Sequence, residues 1–141
     1  MNYVVLLAVS AGMAIALQVT FNAIGLRDLG IGGLIGISGL ATAVVGFVAA
    51  LLTERPDYTG KALLCALVSG VLGAFILGSI VLAAGYGGVA RTLSLVIASQ
   101  LIAGLVVDRT GLLGAASQEI GASKILGIVL ILIGGILVIR S

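Results

Sequence analysis

Among the uncharged polar side chains within long apolar stretches, four are the candidates to bind a ligand. They are Gln18 and Asn22 near the N-terminus, and Ser99 and Gln100 in a later stretch. Amides and hydroxyls donate and accept hydrogen bonds, and inside a membrane they must find partners in another helix or in a solute. The sequence therefore supports two readings, hydrogen bonds between helices or contacts to a neutral or weakly charged solute.

Charged residues stand only at the ends of the apolar stretches. Gln100, Gly104 and Asp108 share a helical face at four-residue spacing, and Arg91 lies near the start of the same helix. Arg91 and Asp108 are candidates for the mouth of a cavity. The alternatives are that Arg91 extends to the membrane interface and that Asp108 with Arg109 marks a solvated boundary.

The chemistry of an enzyme or metalloprotein is missing from this inventory. The chain has no His, and its single cysteine, Cys65, lies in an apolar run. Without His or paired carboxylates there is no acid–base constellation, so we expect no catalytic residue, no cofactor and no metal site. The net charge of +2 is too small to indicate nucleic-acid binding.

The elements that position the polar residues are membrane helices. The 141-residue chain is 61% hydrophobic and 9% charged, with a mean hydropathy of +1.38, whereas soluble domains carry about a quarter charged residues. We predict an all-α membrane bundle forming a single domain over residues 1–141, with the first segment retained as a helix because it lacks a basic leader. The clusters of charge delimit five segments, approximately Asn2–Leu26, Gly30–Leu52, Gly60–Ala84, Gly87–Val107 and Ala122–Ile139.

Regularly spaced glycines predict close packing between helices. Small residues let membrane helices approach each other when lipid is as apolar as leucine. We assign this packing role to Gly32, Gly36, Gly39 and Gly46 in the second segment, Gly70 in the third, and Gly127 and Gly134 in the fifth.

The balance of positive charge between the two sides of the membrane is almost even. Five crossings place the chain ends on opposite sides. Four Lys/Arg residues then lie on the side of the N-terminus and three on the other side. So flat a bias predicts either insertion in both orientations with assembly as an antiparallel homodimer, or a subunit oriented by a partner such as an opposite-topology paralogue.

Three stretches resemble a known family. They are ALQVTFNAIGLRDLG at Ala16–Gly30, SQLIAGLVVDRTGLLG at Ser99–Gly114, and KILGIVLILIGGILVIR at Lys124–Arg140. The chain resembles the small five-helix, YdcZ-type branch of the drug/metabolite transporter superfamily. The resemblance implies a multi-pass protein of the bacterial inner membrane, equivalent to one half of a ten-helix transporter, and occurring as dual-topology, paired or fused subunits.

The sequence and the resemblance together predict a transporter subunit that works by alternating access on a small solute. In this interpretation Gln18, Asn22, Ser99 and Gln100 line the cavity. Coupling to protons through an acid inside the membrane is disfavoured, because none of the five segments contains Asp or Glu. The rival interpretation is a structural or accessory membrane subunit without transport activity of its own, and a small dual-topology channel ranks below both.

Overall fold

In the computed structural model, every element of the described residues is an α-helix. The structure describes residues 2–53, 58–111 and 121–140. The helices are α1 (Asn2–Thr53), α2 (Gly60–Gly87), α3 (Val89–Thr110) and α4 (Ala122–Arg140). An apolar chain in lipid favours helices because each satisfies its backbone hydrogen bonds internally. The all-helical prediction is therefore confirmed.

Helix α1 covers the first two predicted segments, which are separated by a single non-helical residue. Gly30 has φ 63° and ψ 172°, a conformation that is open to glycine and strained for other residues. A Cβ on Gly25 would lie 3.3 Å from Cδ1 of Leu34, although residues nine apart in a straight helix are separated by about 13.5 Å. The chain therefore bends back at Gly30 and gives α1 two arms, residues 2–29 and 31–53.

The helix boundaries differ from the predicted ones near charged residues. Residues 27–29 lie between the first two predicted segments, yet Arg27 and Asp28 are helical, and α3 continues past Val107 to Thr110. A charged residue therefore does not by itself end a helix, because a helix can extend into water. Helix α3 ends at Gly111, whose φ of 62° places it in the left-handed region and whose N–H donates to the carbonyl of Val107 at 3.0 Å.

The chain divides into two compact units, Met1–Gly85 and Tyr86–Ser141. In the first unit the second arm of α1 packs against α2 at Gly78. A Cβ on Gly78 would lie 3.4 Å from Cδ1 of Ile35 and 3.7 Å from Cδ1 of Ile31, two residues one helical turn apart. The small core of this unit includes the buried side chains Val19, Leu34, Val81 and Ala84.

In the second unit α3 and α4 form an antiparallel hairpin. Gly135 faces Ser94, whose carbonyl oxygen lies 3.8 Å from the position of a Cβ on that glycine. At the other end of the hairpin Lys124 is paired with Asp108. The two contacts follow opposite orders along the two helices, which establishes the antiparallel arrangement.

Four helices are long and apolar enough to cross a membrane, judged by length and composition over the described residues. Their surfaces are rich in exposed aliphatic and aromatic side chains, among them Phe47, Leu51, Val71 and Phe75. So extensive an apolar surface would be unfavourable in water but matches the hydrocarbon core of a bilayer.

Candidate functional site

Gln18 and Asn22 lie on the first arm of α1, within the unit Met1–Gly85. They are one helical turn apart and share a face, but their surroundings differ. Gln18 is exposed, whereas Asn22 retains only 9% of its accessible surface. The neighbouring Val19 is also buried, at 4% exposure. This part of the arm is therefore covered by protein, with Gln18 at its edge.

Asn22 is a buried residue whose side-chain amide keeps a small part of its surface accessible. It forms no hydrogen bond with any described residue. Among those residues, no buried side-chain nitrogen or oxygen atom is both sealed from solvent and without a partner. The amide atoms of Asn22 therefore keep some open surface, which a solute or another helix could occupy. An amide with unused hydrogen-bonding capacity in an apolar setting favours a partner strongly.

Ser99 and Gln100 lie in the middle of α3, within the unit Tyr86–Ser141, and both are exposed. The hydroxyl of Ser99 donates to the carbonyl oxygen of Val96 at 2.8 Å. It is therefore satisfied by its own helix, whereas the amide of Gln100 has no hydrogen bond with the described residues. Of this predicted pair, Gln100 has more capacity left for a ligand.

Several other hydroxyls in the helices follow the same pattern as Ser99. Each donates to a carbonyl three or four residues earlier, as Thr20 does to Ala16 at 2.9 Å and Thr42 to Ser38 at 2.9 Å. Serine and threonine readily form this bond inside helices. Hydroxyls bonded in this way have less capacity left for a ligand than the amides of Asn22 and Gln100, a difference that residue spacing does not predict.

Asp108 is joined to Lys124, a partner that the sequence analysis did not assign. The Nζ atom of Lys124 lies 2.5 Å from Oδ2 of Asp108, and the two side chains are 39% and 37% exposed. The carboxylate lies in the last turn of α3 and the ammonium in the first turn of α4, so each charge is at the helix end where the dipole disfavours it. Pairing offsets both disadvantages and ties the two helices together.

The start of α3 contains a buried polar residue that is not among the predicted site residues. Arg91 is exposed. The next residue, Thr92, is only 4% exposed. A threonine following an arginine at a helix start gave no sequence signal of burial.

The glycines predicted to pack against other helices have open space around their Cβ positions in the described part of the subunit. A Cβ added at any of the seven would meet no atom within 4 Å in the part of the chain that is described. These residues are Gly32, Gly36, Gly39, Gly46, Gly70, Gly127 and Gly134. The close approaches between helices in the described residues instead involve Gly78 and Gly135.

Among known proteins, the chain matches a family described as "Putative inner membrane exporter, YdcZ", over residues 3–137. The chain belongs to this family. The resemblance identified from the sequence motifs is therefore confirmed, and with the apolar helices it identifies a multi-pass membrane protein of an exporter family rather than an enzyme family. No curated protein and no solved structure matches the chain.

Proposed function

We propose that this member of the YdcZ family is a subunit of a membrane exporter that moves a small solute by alternating access, working as an antiparallel dimer. The observation that supports this most directly is Asn22. Its side chain is buried in an apolar helix arm, yet its amide has no hydrogen bond among the described residues and keeps open surface. A purely structural polar residue would be expected to use its amide within the fold.

The bend at Gly30 supports five crossings of the membrane. A straight helix of 52 residues would be about 78 Å long, more than twice the thickness of a hydrocarbon core of about 30 Å. The contact between Gly25 and Leu34 excludes that straight form. If each arm of α1 crosses separately, α2, α3 and α4 bring the total to five. This count corresponds to one half of a ten-helix transporter.

A row of glycines without a packing partner among the described residues supports an inverted second copy. The seam from Gly32 to Gly46 has no neighbour within its own described chain, although small-residue seams in membranes allow a partner helix to approach closely. The near-equal positive charge on the two sides permits insertion in both orientations. Inverted repeats around a site at the midplane are a common architecture of transporters. An opposite-topology paralogue could occupy the same position as the second copy.

The groups proposed to contact the solute are the amides of Gln18, Asn22 and Gln100, with the hydroxyl of Ser99 as a weaker contributor. None of these residues titrates, so they suit a neutral or weakly charged solute recognised by hydrogen bonds. The cavity in this proposal is shared by the two subunits, and rocking of the helices around it opens it to each side in turn.

The first experiment is a solute screen by thermal unfolding of the purified protein, since a solute that binds only the folded state raises its stability. The variant Asn22→Leu should raise the dissociation constant of the identified solute about tenfold or more, because one buried amide contact is lost. Thr20→Val is the matched control, because Thr20 is exposed on the same arm and its hydroxyl bonds within its own helix.

The outcome separates the exporter from the accessory subunit. If Asn22→Leu and Gln100→Leu both bind and export the solute normally, the site assignment is wrong. If they instead dissociate the dimer while solute binding per folded dimer is unchanged, the amides are interhelical contacts and the accessory interpretation is favoured.

Orientation is tested by moving positive charge. Adding two or three lysines to the loops on one side should fix the subunit in one orientation and reduce export when that variant is expressed alone. Co-expression with a variant biased to the opposite side should restore export. Full activity of one biased variant alone would contradict the antiparallel homodimer.

A further inference from the structure

The turn between α2 and α3 brings free hydrogen-bond donors to one place. Gly88 separates the two helices with φ 81° and ψ 154°, and as the N-cap of α3 it supplies no side-chain hydrogen bond. The first N–H groups of a helix have no acceptor within the helix. The amides of Val89, Ala90 and Arg91 therefore point out of the start of α3, which is also the positive end of its dipole.

Thr92 is the independent observation that points to a ligand at this turn. Its side chain is 4% exposed, and its hydroxyl forms no hydrogen bond with any described residue. Ser94, two residues later, shows the usual alternative, because its hydroxyl donates to the carbonyl of Ala90 at 2.9 Å. A buried hydroxyl that does not form this bond has capacity for another partner.

The hydroxyl of Thr92 is directed towards the turn. Its Oγ1 atom lies 3.9 Å from the position that a Cβ on Gly87 would occupy. The oxygen also keeps some accessible surface, because no side-chain oxygen sealed from solvent in the described residues lacks a partner. At the next residue, Gly88, an added Cβ would meet no described atom within 4 Å, so the turn itself is open.

Arg91 adds a positive charge at the same turn. Its Cδ atom lies 3.9 Å from the same Cβ position on Gly87, and its guanidinium has neither a hydrogen bond nor an ion pair within the described residues. Between Tyr58 and Val107 the sequence contains no carboxylate that could neutralise it. Tyr86, at 94% exposure, is the type of residue that lies at the level of lipid headgroups.

From these observations we infer that the turn from Gly87 to Thr92 binds a phosphate-type anion. Phosphate oxygens accept hydrogen bonds from the first amides of α3 and from the hydroxyl of Thr92, while the guanidinium of Arg91 pairs with the charge. The phosphate can belong to a lipid headgroup or to a soluble molecule. The alternative is a purely structural role, in which Arg91 donates only to the last carbonyl groups of α2, because that helix ends at the same turn.

The test uses thermal unfolding of the full-length protein purified in detergent. One arm titrates inorganic phosphate at constant ionic strength, and the other compares dioctanoyl phosphatidylglycerol with dioctanoyl phosphatidylcholine. We expect stabilisation that increases with the concentration of the anion. Stabilisation by phosphatidylglycerol alone assigns the site to a lipid headgroup, and stabilisation by inorganic phosphate as well assigns it to phosphate groups in general.

Variants establish whether the stabilisation comes from this turn. Arg91→Gln should raise the half-saturating concentration about tenfold or more, Arg91→Lys less, and Thr92→Val about threefold to tenfold. Arg140→Gln is the matched control and should leave it unchanged. Arg140 is exposed, and it lies at the end of α4 that meets the start of α3 in the antiparallel hairpin, so the control removes the same charge at the same end.

The inference is overturned if neither ligand stabilises the wild type. It is also overturned if Arg140→Gln weakens binding as much as Arg91→Gln, or if Arg91→Gln and Thr92→Val bind as the wild type does. None of these measurements depends on transport, so their result stands separately from the proposed exporter function.

Discussion

Exchanging the two charges of the pair that closes the α3–α4 hairpin tests how its helices are held. The double variant Asp108→Lys with Lys124→Asp keeps one lysine and one aspartate at the two positions that are paired in the wild type. It also places a cation in the last turn of α3 and an anion in the first turn of α4, where the helix dipoles favour them. The number of positive charges on that side of the membrane does not change, so orientation is not altered.

The expected magnitudes follow from the exposure of the pair and from its position on the helices. Because both side chains are more than a third exposed, the pair contributes about 0.5–1 kcal/mol. Reversing each charge changes a dipole contribution of about 0.5 kcal/mol from unfavourable to favourable, which gives about 1–2 kcal/mol for the double variant. The single variant Asp108→Lys loses the pair and adds repulsion with Lys124, so it should be less stable than the wild type despite the better dipole.

The assay is thermal unfolding of the wild type, both single reversals and the double variant in detergent, at low salt and at 0.5 M salt. The double variant should unfold a few degrees above the wild type, the single reversals below it, and high salt should reduce all of these differences. If the double variant is as unstable as the single reversals, the two charges do not pair in the folded protein and the reasoning about the hairpin fails.

Two further predictions concern glycines with different surroundings, each paired with a control glycine on the same helix. Gly78→Leu should destabilise the fold by about 1–3 kcal/mol, because Ile31 and Ile35 already occupy the space around its Cβ position. The control Gly73→Leu, in open space, should change the melting temperature little. Equal effects of the two variants would contradict the packing of α1 on α2. Gly30→Ala should lower the free energy of unfolding by about 1–2 kcal/mol because of the positive φ at residue 30. The control Gly12→Ala, at an open helical position, should be neutral or stabilising. An unchanged stability of Gly30→Ala would mean that the bend does not depend on glycine.

The sequence predicts the helical class of this protein well, because hydropathy and the distribution of charge act over whole segments. It predicts the boundaries less well, as α3 shows by continuing through Asp108 and Arg109 to Thr110. Whether a residue is helical depends on local backbone preferences, whereas the charges record the position of the membrane surface. The two limits coincide only when a helix ends where the lipid ends.

The polar residues were predictable as a group but not in their individual roles. Asn22 and Gln100 keep unused amides, whereas the hydroxyl of Ser99 bonds to its own helix, and sequence spacing does not distinguish these cases. The pairing of Asp108 with Lys124 was not predicted either. It depends on the register of two antiparallel helices, which is fixed by packing such as that of Gly135 against Ser94.

The hydrogen bonds and close contacts formed within each unit indicate which polar groups and glycines remain available to other molecules. Hydroxyls such as those of Thr20 and Ser99 bond within their own helices, and Gly78 has its close packing within its own unit. The glycine seam starting at Gly32 and the amide of Asn22 have no such partner among the described residues. The seam suits a second helix and the amide suits a hydrogen-bonding solute, because bare backbone favours close packing and an unused amide favours a polar partner. A dimer that covers the seam and encloses the amide would satisfy both features together, and for this reason we propose the assembly and the solute site as one arrangement.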